Sequence, residues 1–522
     1  MTDSTRTLLE LPLASYPGMG GYALDLVLGM GEARALGSRR DSVGLRPPSR
    51  DRSALAASLA ASNLEWGNDV AAQLAEWSAG RSVAIVAGQQ VGFAGGPLLT
   101  ISKIASLLNL RASLAARGIT ATAFFWMATE DHDFGEVAML DWPERESVAK
   151  IRCPHPPGNP RAVGALPVPA SLRSRLADLA GLIDAPWLCD GVTFCDSFAT
   201  LVASVFAGRG LVLVDSLDPE LRRAGAPLLR SMIDSIGEIE SEIAERSAVV
   251  QRAGYAPQVV PGPEGRYSLL YLLGADGERL ALRHDDGVWR AGDSPLAGGA
   301  LEKALDVSPE RISTGALMRP LLQDFVFEPA VFVGGPAEVA YYAQLVPLHA
   351  RLGVTPPHVA LRAHVLVAEE KVLRAIDRYG IEPDELALPA DEIVSRREDG
   401  AIEALRRNVD ALSAAIGKAT EPVVAEILEA DRSMERSVRR TLRRLEFHAR
   451  RLESRGVRAL ARRDGDRHRA VTRLANALFP DGVPQDRRIS WLRLWLDHGD
   501  ALADRLVELA EPDRGVYRIT GV

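Results

Sequence analysis

The chain has 522 residues, a length typical of two to four domains. Of these residues 47% are hydrophobic and 25% are charged, fractions typical of a folded globular protein. The formal charge, 61 basic minus 69 acidic residues, is −8, which is small for this length and excludes a general electrostatic attraction to nucleic acid or to acidic membranes. The three cysteines, Cys153, Cys189 and Cys195, exclude a disulfide framework and fit a reducing compartment.

The N-terminal segment lacks the basic start and sustained apolar run that are typical of a secretion signal. We find no stretch with the roughly 18 to 20 apolar residues that a membrane-spanning helix requires. We therefore expect a cytoplasmic protein without a membrane partner.

The first predicted unit begins with residues 82–87 (SVAIVA), a short β-branched apolar run typical of a strand buried on both faces. A glycine-rich loop over residues 88–97 follows, and Pro97 opens a helical pattern that ends near Gly118. This helix is apolar on almost all sides, so we expect it to be buried. Residues 121–128 (ATAFFWMA) predict a second strand, which completes the βαβ unit of a parallel sheet.

Two further segments repeat the order of strand and helix. Residues 210–233 contain a strand, Asp218 as a helix N-cap and then a helix, and residues 325–353 predict the same arrangement. Three such units predict the α/β class, with a doubly wound parallel sheet and ligands beyond the carboxyl ends of its strands. We assign residues 1–365 to this core.

The core contains a segment of different character. Residues 267–292 predict short strands separated by Ala-Asp-Gly and Asp-Asp-Gly turns. We therefore expect a small β-rich insertion at about residues 250–300.

After about residue 365 the pattern is almost continuously helical. A coiled-coil seam is predicted by apolar residues that recur at spacings of three and four, until Gly456 interrupts them: Leu442, Leu445, Ala449 and Leu452. Residues 366–475 are predicted to form an α-helical coiled-coil domain, either as a long antiparallel hairpin or as a dimer arm. Residues 476–522 contain a Trp-rich helix and are predicted to pack back on the core.

The coiled-coil region is rich in arginine. Residues 431–470 contain fourteen Arg, no Lys and six acidic residues, which gives this segment a charge of +8. Such a segment is typical either of a nucleic-acid-binding arm or of a solvated helix face. We favour the solvated face, without a nucleic-acid partner, because aromatic residues that stack on bases are nearly absent.

The first candidate site is the loop between the first strand and its helix. Its glycines, among them Gly95 and Gly96, allow backbone N–H groups to approach an anion at the helix N-terminus. Gln89 and Gln90 add amide donors and acceptors at the end of a buried strand. Lys103 lies two turns into the helix, where it reaches a phosphate or extends along the apolar surface with its charge in water. Glycines that only form a tight turn are the alternative.

The second candidate site is the segment TEDHDF at the end of the second strand. It begins at Thr129 and places three carboxylates around one imidazole: Glu130, Asp131, His132 and Asp133. Close like charges raise some carboxylate pKa values, and a neighbouring carboxylate raises the pKa of histidine, which suits proton transfer near neutral pH. A helix N-cap with solvated charges is the alternative. A metal site is less favoured, because no second histidine lies at ligand spacing.

The third candidate site repeats the Gly-Gly-Pro arrangement before a helix. Gly334 and Gly335 precede the helix, which carries Glu338, Tyr341 and Gln344 as groups that bind a sugar, a ribose or a base. Core packing of the aromatic side chains is the alternative. Arg319 and Gln323 precede the strand, so we expect them at its opposite end.

Four motifs in this order resemble the bacillithiol synthase family: GQQVGFAGGPLLTISK, FWMATEDHDFGEV, VGGPAEVAYYAQL and NALFPDGVPQDR. Val91 and Gly135 depart from the family pattern. The resemblance implies a Rossmann-like core, a coiled-coil domain used for homodimerisation, and a ligase that adds cysteine to glucosaminyl-malate in the last step of bacillithiol biosynthesis.

Under this resemblance the residues take three expected roles. Catalysis falls to His132, Asp131, Asp133 and Glu130; substrate binding falls to Gln89, Gln90, Thr129, Gly95, Gly96, Lys103, Arg319 and Gln323; cofactor binding falls to Gly334, Gly335, Glu338, Tyr341 and Gln344. Amide formation from a carboxylate requires activation, which implies ATP, with the helix ends holding phosphate or the malate carboxylates. The mode of activation and a metal requirement stay open, because neither an H-I-G-H nor a K-M-S-K-S motif occurs.

Two other classes of function stay open at this point. One is a nucleotidyl- or glycosyltransferase on the same α/β platform, which would use the same helix ends without cysteine. The other is a non-catalytic nucleotide-binding dimer whose arginine-rich coil binds a partner.

Overall fold

The structure is a computed structural model of the chain. It describes residues 8–16, 19–37, 43–144, 147–153, 155, 160–182, 185–259, 269–274, 277–285, 287–396, 401–461 and 465–521.

Strands and helices alternate through the first two thirds of the described chain, and helices dominate the last third. The strands are β1 Leu8–Pro12, β2 Val83–Gln89, β3 Ala121–Met127, β4 Met139–Pro143, β5 Val148–Arg152, β6 Leu211–Asp215, β7 Leu270–Leu273, β8 Arg279–Asp285, β9 Val288–Ala291, β10 Ser294–Pro295, β11 Ile312–Thr314, β12 Val331–Gly334, β13 His358–Leu361, β14 His364–Ala368 and β15 Val516–Gly521. The α-helices are α1 Tyr22–Leu28, α2 Ala33–Leu36, α3 Ser53–Glu65, α4 Ala71–Ser78, α5 Leu98–Ala116, α6 Phe134–Val137, α7 Ala170–Ala180, α8 Phe194–Phe206, α9 Pro219–Asp234, α10 Ile236–Arg252, α11 Ala300–Val307, α12 Arg319–Phe327, α13 Pro336–Arg351, α14 Glu370–Tyr379, α15 Ala390–Ser395, α16 Ala401–Ala430, α17 Glu435–Ala461, α18 Gly465–Leu478, α19 Gln485–Arg488, α20 Trp491–His498 and α21 Asp500–Leu509.

The central sheet has five parallel strands in the order β13-β12-β2-β3-β6. Successive residues of its strands face opposite cores: Ala84 and Val86 belong to one hydrophobic cluster, whereas Val83 and Ile85 belong to the other. Both faces are therefore covered, as a near-continuous apolar strand requires. The predicted α/β class, a Rossmann-like doubly wound core with a coiled-coil domain, is confirmed.

Helix α5 lies against this sheet, and its predicted burial is confirmed. The helix has 19 residues and is apolar enough that, by length and composition alone, it could cross a membrane. We expected no apolar stretch long enough to span a membrane, and the length and composition of helix α5 show that this expectation was wrong. In the structure 61% of the most apolar 18-residue stretch of this helix is buried, because the helix packs between the sheet and helix α21.

The third strand–helix unit differs from its prediction. The strand expected from residue 325 begins at Val331, and the preceding apolar residues form helix α12, with Pro320 in its first turn. Glu328 ends this helix in the left-handed region, with φ +49°. A short apolar run does not distinguish a buried strand from a buried helix, which explains the error.

The predicted β-rich insertion is an antiparallel sheet in the order β10-β9-β8-β7-β11. Strand β11 extends it beyond the predicted range, because Ile312 pairs with Leu272. The expected turns lie partly outside the described residues, at positions 275, 276 and 286.

Helices α16 and α17 form an antiparallel hairpin. Asp410 accepts a hydrogen bond from Arg450 at 2.8 Å, and Leu405 contacts Gly456, so residue numbers run in opposite directions. Helix α17 continues through Gly456, the residue at which the apolar seam was expected to be interrupted. A Cβ atom there would lie 2.6 Å from Leu405 Cδ2, so glycine permits the close approach of the two helices.

The C-terminal segment lies against the central core. Trp491 is fully buried and its Nε1 donates a hydrogen bond to the Gly95 carbonyl at 2.9 Å. Strand β15 joins β1 and β14 in a separate sheet, so two strands lie in the region that was expected to be almost wholly helical. The domain boundaries at residues 365 and 475 stay predictions.

The outer edge of the central sheet is closed by two asparagines. Strand β6 is an edge strand, and the buried Asn63 side chain donates to the Leu213 carbonyl at 2.8 Å and accepts from the Leu213 N–H at 2.9 Å. Asn68 donates to the Leu211 carbonyl and to Asn63. These amides replace the neighbouring strand that the edge lacks.

We expect Asn63→Leu to lower the free energy of unfolding by at least about 2 kcal/mol, because two backbone groups of Leu213 lose their partners and each unpaired buried group costs ~1–3 kcal/mol. Urea unfolding followed by circular dichroism measures this. Leu64→Ala, on the same helix with a residue 65% exposed, is the control and should change little. Equal stability of the two variants would contradict the role of Asn63.

Candidate functional site

A cavity of about 950 Å³ opens at the carboxyl ends of strands β2, β3 and β12. Gln89 and Gln90, which we call the diglutamine turn, meet the TEDHDF segment there, because Gln90 Nε2 donates to Asp131 Oδ2 at 2.7 Å. The polar residues that line the cavity are Gln89, Gln90, Lys103, Glu130, Asp131, His132, Asp133, Glu136, His155, Tyr271, Arg279, Thr314, Arg319, Glu338, Tyr341, Arg362 and Arg487.

Lys103 is a buried ion-pair partner below the diglutamine turn. Its Nζ donates to the Gly88 carbonyl at 2.7 Å, to Gln89 Oε1 at 2.8 Å and to the Glu338 carboxylate. Burial lowers the pKa of Lys103, and the Glu338 charge opposes that shift. All three N–H donors are used inside the protein, so Lys103 holds the turn to helix α13 and has no free donor for a phosphate.

Asp131 is held in its ionised form. Its Oδ1 accepts from the His132 backbone N–H at 2.7 Å, and Arg279 Nη1 lies 3.5 Å away. Burial would raise its pKa, but the hydrogen bond from Gln90, the charge of Arg279 and the hydrogen bond from the His132 backbone N–H outweigh burial and hold the pKa well below its usual value. The pKa of Asp131 is therefore not among those that the crowding of like charges raises, because donors surround this carboxylate.

His132 contacts the insertion sheet. Its Nδ1 lies 2.8 Å from Arg279 Nη1, and its ring centre lies 5.7 Å from that of Tyr271. Arg279 in turn stacks on Tyr271 and donates to the Thr314 carbonyl at 2.7 Å. Sequence reasoning missed Arg279, because only the pairing of β8 with β7, and of β7 with β11, brings it to the cavity.

Glu130 anchors the segment from below. It is buried, and its Oε2 accepts from Ser313 Oγ at 2.7 Å and forms an ion pair with Arg222. Its backbone N–H donates to Ser216 Oγ at 3.1 Å. These contacts join strand β11 and helix α9 to the end of strand β3.

Asp133 and Glu136 form the open acidic side of the cavity. Asp133 Oδ1 accepts the Glu136 backbone N–H at 3.1 Å, so Asp133 is the N-cap of helix α6, the alternative raised for this segment. Partial burial raises the pKa of Glu136, Gln90 opposes the shift, and the charges of Asp133 and Asp131 reinforce it. Glu136 was not among the predicted site residues.

Three arginines form the basic side of the cavity. Arg319 was expected at the opposite end of the strand, but it begins helix α12 and donates to Tyr341 at 2.8 Å and to Gln323 at 3.1 Å. Burial raises the pKa of Tyr341, so its hydroxyl stays protonated.

Arg362 pairs with the buried Asp486 at 2.8 Å. Arg362 and Arg487 were missed, because their elements are far from the other motifs in sequence.

Six predicted site residues do not line the cavity: Thr129, Gly95, Gly96, Gln323, Gly334 and Gln344. Thr129 is buried against Asp215 and Ser216. Gln323 is buried and accepts a hydrogen bond from Arg319.

The remaining four face other parts of the protein. Trp491 covers the glycine loop, since a Cβ atom at Gly95 would lie 2.5 Å from its indole. Gly96 packs near Thr100, and Gly334 is enclosed by Phe332 and Glu338. Gln344 accepts the backbone N–H of residue 258 and donates to the Val259 carbonyl at 2.8 Å.

Both Gly-Gly-Pro helix starts already have partners within the protein. The Leu98 N–H donates to the Ile489 carbonyl at 2.9 Å, and the Gly335 N–H donates to the Glu338 carboxylate at 2.7 Å. Glu338 thus occupies the place expected for an anion at the start of helix α13. Free positive charge in the cavity comes from arginines instead.

Comparisons with known proteins agree with this architecture. The family model for the N-terminal Rossmann-like domain of bacillithiol biosynthesis BshC matches residues 34–363, and the model for its C-terminal coiled-coil domain matches residues 365–521. Relatives named "Putative cysteine ligase BshC" are 27% identical in Koribacter versatilis, over 93% of this chain and 92% of the relative, and 30% identical in Thermus thermophilus, over 81% and 86%. The chain belongs to the BshC family of bacillithiol biosynthesis.

Proposed function

We propose that this protein is a ligase that joins cysteine to glucosaminyl-malate, the last step of bacillithiol biosynthesis, in the cavity described above. Family membership and the ligase name of the relatives support this proposal. The observation that carries it is the meeting of an acidic and a basic group of side chains in one cavity, which matches a substrate with an amine at one end and carboxylates at the other.

The acidic side suits the amine of the glucosamine unit. Asp131, Asp133 and Glu136 lie on one short segment and attract an ammonium group. The amine must lose a proton as the amide forms, and the raised pKa of Glu136 makes it a better proton acceptor than Asp131, whose pKa is low. We assign Asp131 to orientation of the amine and Glu136 to proton transfer.

The basic side suits the malate unit. Among the described residues no carboxylate lies within 4.0 Å of the guanidinium groups of Arg319 and Arg487, whereas Arg279 and Arg362 each have an acidic neighbour. Two guanidinium groups without carboxylate partners match the two carboxylates of malate in number and charge. We therefore assign Arg319 and Arg487 to binding of the malate unit.

ATP is the proposed source of carboxyl activation. When bound, it would supply the chemistry that converts the cysteine carboxylate into an acyl donor. The arginines of the cavity fit its phosphates in charge. Lys103 does not fit this role, because its donors are used, and the Glu338 carboxylate already lies at the start of helix α13.

The hairpin of helices α16 and α17 is the proposed homodimer contact. Five exposed apolar side chains recur at intervals that place them on one face of each helix, whereas the exposed Phe447 lies on another face of helix α17. We name the five the apolar hairpin stripe: Leu412, Val423, Ile427, Leu445 and Leu452. A second copy would cover this stripe and complete the seam that the two helices leave partly open.

The first prediction concerns activity. Purified protein supplied with glucosaminyl-malate, cysteine and ATP should form the thiol product, detected by mass spectrometry. His132→Ala should lower turnover by about 100-fold or more, because a donor or proton-transfer group at the reacting centre contributes roughly that factor. His284→Ala, an exposed histidine of the insertion sheet, is the control.

Other outcomes of this assay would favour the alternatives. Transfer of a nucleotidyl or sugar group without use of cysteine would identify a transferase. Nucleotide binding without any product would identify a non-catalytic dimer. Either result would contradict the ligase proposal.

The second prediction concerns the basic side. Arg319→Met and Arg487→Met should each weaken glucosaminyl-malate binding by about 10- to 100-fold, since a hydrogen bond to a charged group contributes ~1.5–3 kcal/mol and 1.4 kcal/mol is a factor of ten. Isothermal titration calorimetry measures this, with ATP titrated separately. Arg283→Met, exposed on strand β8, is the control. A loss confined to ATP binding would contradict the assignment to malate.

The third prediction concerns assembly. The wild-type protein should be a dimer in light scattering, and a Leu445→Glu, Leu452→Glu double variant should be a monomer, because buried like charges oppose association. Thr441→Glu, exposed on the same helix, should remain a dimer. A wild-type monomer, or a dimer that survives the double substitution, would contradict the hairpin contact.

A further inference from the structure

We propose that Arg279 of the insertion sheet is a positioning residue that fixes His132 as a neutral imidazole with its proton on Nε2, so that His132 donates a hydrogen bond to an oxygen of the bound substrate and is not the proton acceptor. This inference rests on the proposed function for the identity of the substrate. The tautomer itself is a property of the free protein.

The argument begins with the chemistry of the guanidinium group. Arg279 Nη1 lies 2.8 Å from His132 Nδ1, and a guanidinium group has only donors. Nδ1 must therefore be the acceptor in this pair and carries no proton. A neutral imidazole with an unprotonated Nδ1 carries its proton on Nε2, which is a donor.

The position of Arg279 is set by the insertion sheet. Its Nη2 donates to the Thr314 carbonyl at 2.7 Å, its Nε donates to Ser313 Oγ at 3.3 Å, and its guanidinium carbon lies 4.0 Å from the centre of the Tyr271 ring. The side chain is only 5% exposed. Two strands of the insertion sheet, β7 and β11, thus hold the guanidinium, so its remaining N–H groups are directed at His132 and Asp131.

The surroundings leave Nε2 available to a ligand. His132 lines the cavity, its side chain is 37% exposed, and its Nδ1 edge faces Arg279 and Asp131. Asp131 Oδ1 lies 3.4 Å from Nδ1 and is already an acceptor for the His132 backbone N–H. The opposite edge of the ring, with Nε2, is therefore the part that meets a substrate oxygen.

This arrangement divides the roles in the cavity. A fixed N–H donor is suited to a carbonyl or carboxylate oxygen of the substrate, where it orients the group and stabilises negative charge. Proton acceptance then falls to a carboxylate of the acidic side. The sequence pattern, in which His132 is flanked by Asp131 and Asp133, suggested an acid–base histidine because Arg279 was not visible in it.

The first test observes the tautomer directly. In protein labelled with ¹⁵N-histidine at neutral pH, the His132 signals, assigned by their loss in His132→Gln, should show an unprotonated Nδ1 and a protonated Nε2. In Arg279→Met the pattern should shift towards protonated Nδ1, since Asp131 then becomes its nearest partner. Arg283→Met is the control. A wild-type ring protonated at Nδ1, or an unchanged pattern in Arg279→Met, would overturn the proposal.

The second test separates a donor from a base by activity. Glutamine carries N–H donors at a position similar to Nε2 but cannot accept a proton at neutral pH. His132→Gln should therefore retain at least tenfold more turnover than His132→Ala, and Arg279→Met should lose about tenfold or more while Arg279→Lys loses less. Equal loss in His132→Gln and His132→Ala would overturn the donor role. Absence of any product in the wild-type protein would instead refute the proposed function and leave the tautomer test valid.

Discussion

A buried positive charge determines the shape of this site. The Lys103 ammonium is buried at the edge of the cavity, where a charge is stable only if its donors are paired. Its partners come from the end of strand β2 and from helix α13, more than two hundred residues later in the chain. Because the Lys103 ammonium binds both, the diglutamine turn and the start of helix α13 cannot move independently.

The same constraint explains the other charged groups of the cavity. Glu130 is paired with Arg222, and Arg362 is paired with Asp486 of the C-terminal segment. These pairs connect helix α9, the insertion sheet and the C-terminal segment to the central sheet. Charges with partners thus build the cavity, whereas Arg319 and Arg487, without carboxylate partners among the described residues, are directed to a ligand in the proposed function.

The sequence predicted the parts of the site that depend on short-range patterns. Strands β2 and β3, the helix between them, and the meeting of Gln90 with Asp131 all follow from apolar runs and the geometry of a parallel sheet. Contacts between distant segments were not predictable in this way. Trp491 covers Gly95, Glu338 accepts a hydrogen bond from Lys103, and Arg279 contacts His132. Each of these contacts joins residues more than one hundred positions apart.

The central claim is that two distant segments form one substrate cavity, and hydrogen–deuterium exchange with glucosaminyl-malate tests it most directly. We expect slower exchange on ligand addition in residues 88–90, 130–136 and 314–319, all at this cavity. A second cavity, between helix α10 and the insertion sheet at residues 284–302, should be unchanged. Protection confined to residues 284–302, or absent from residues 130–136, would contradict the account.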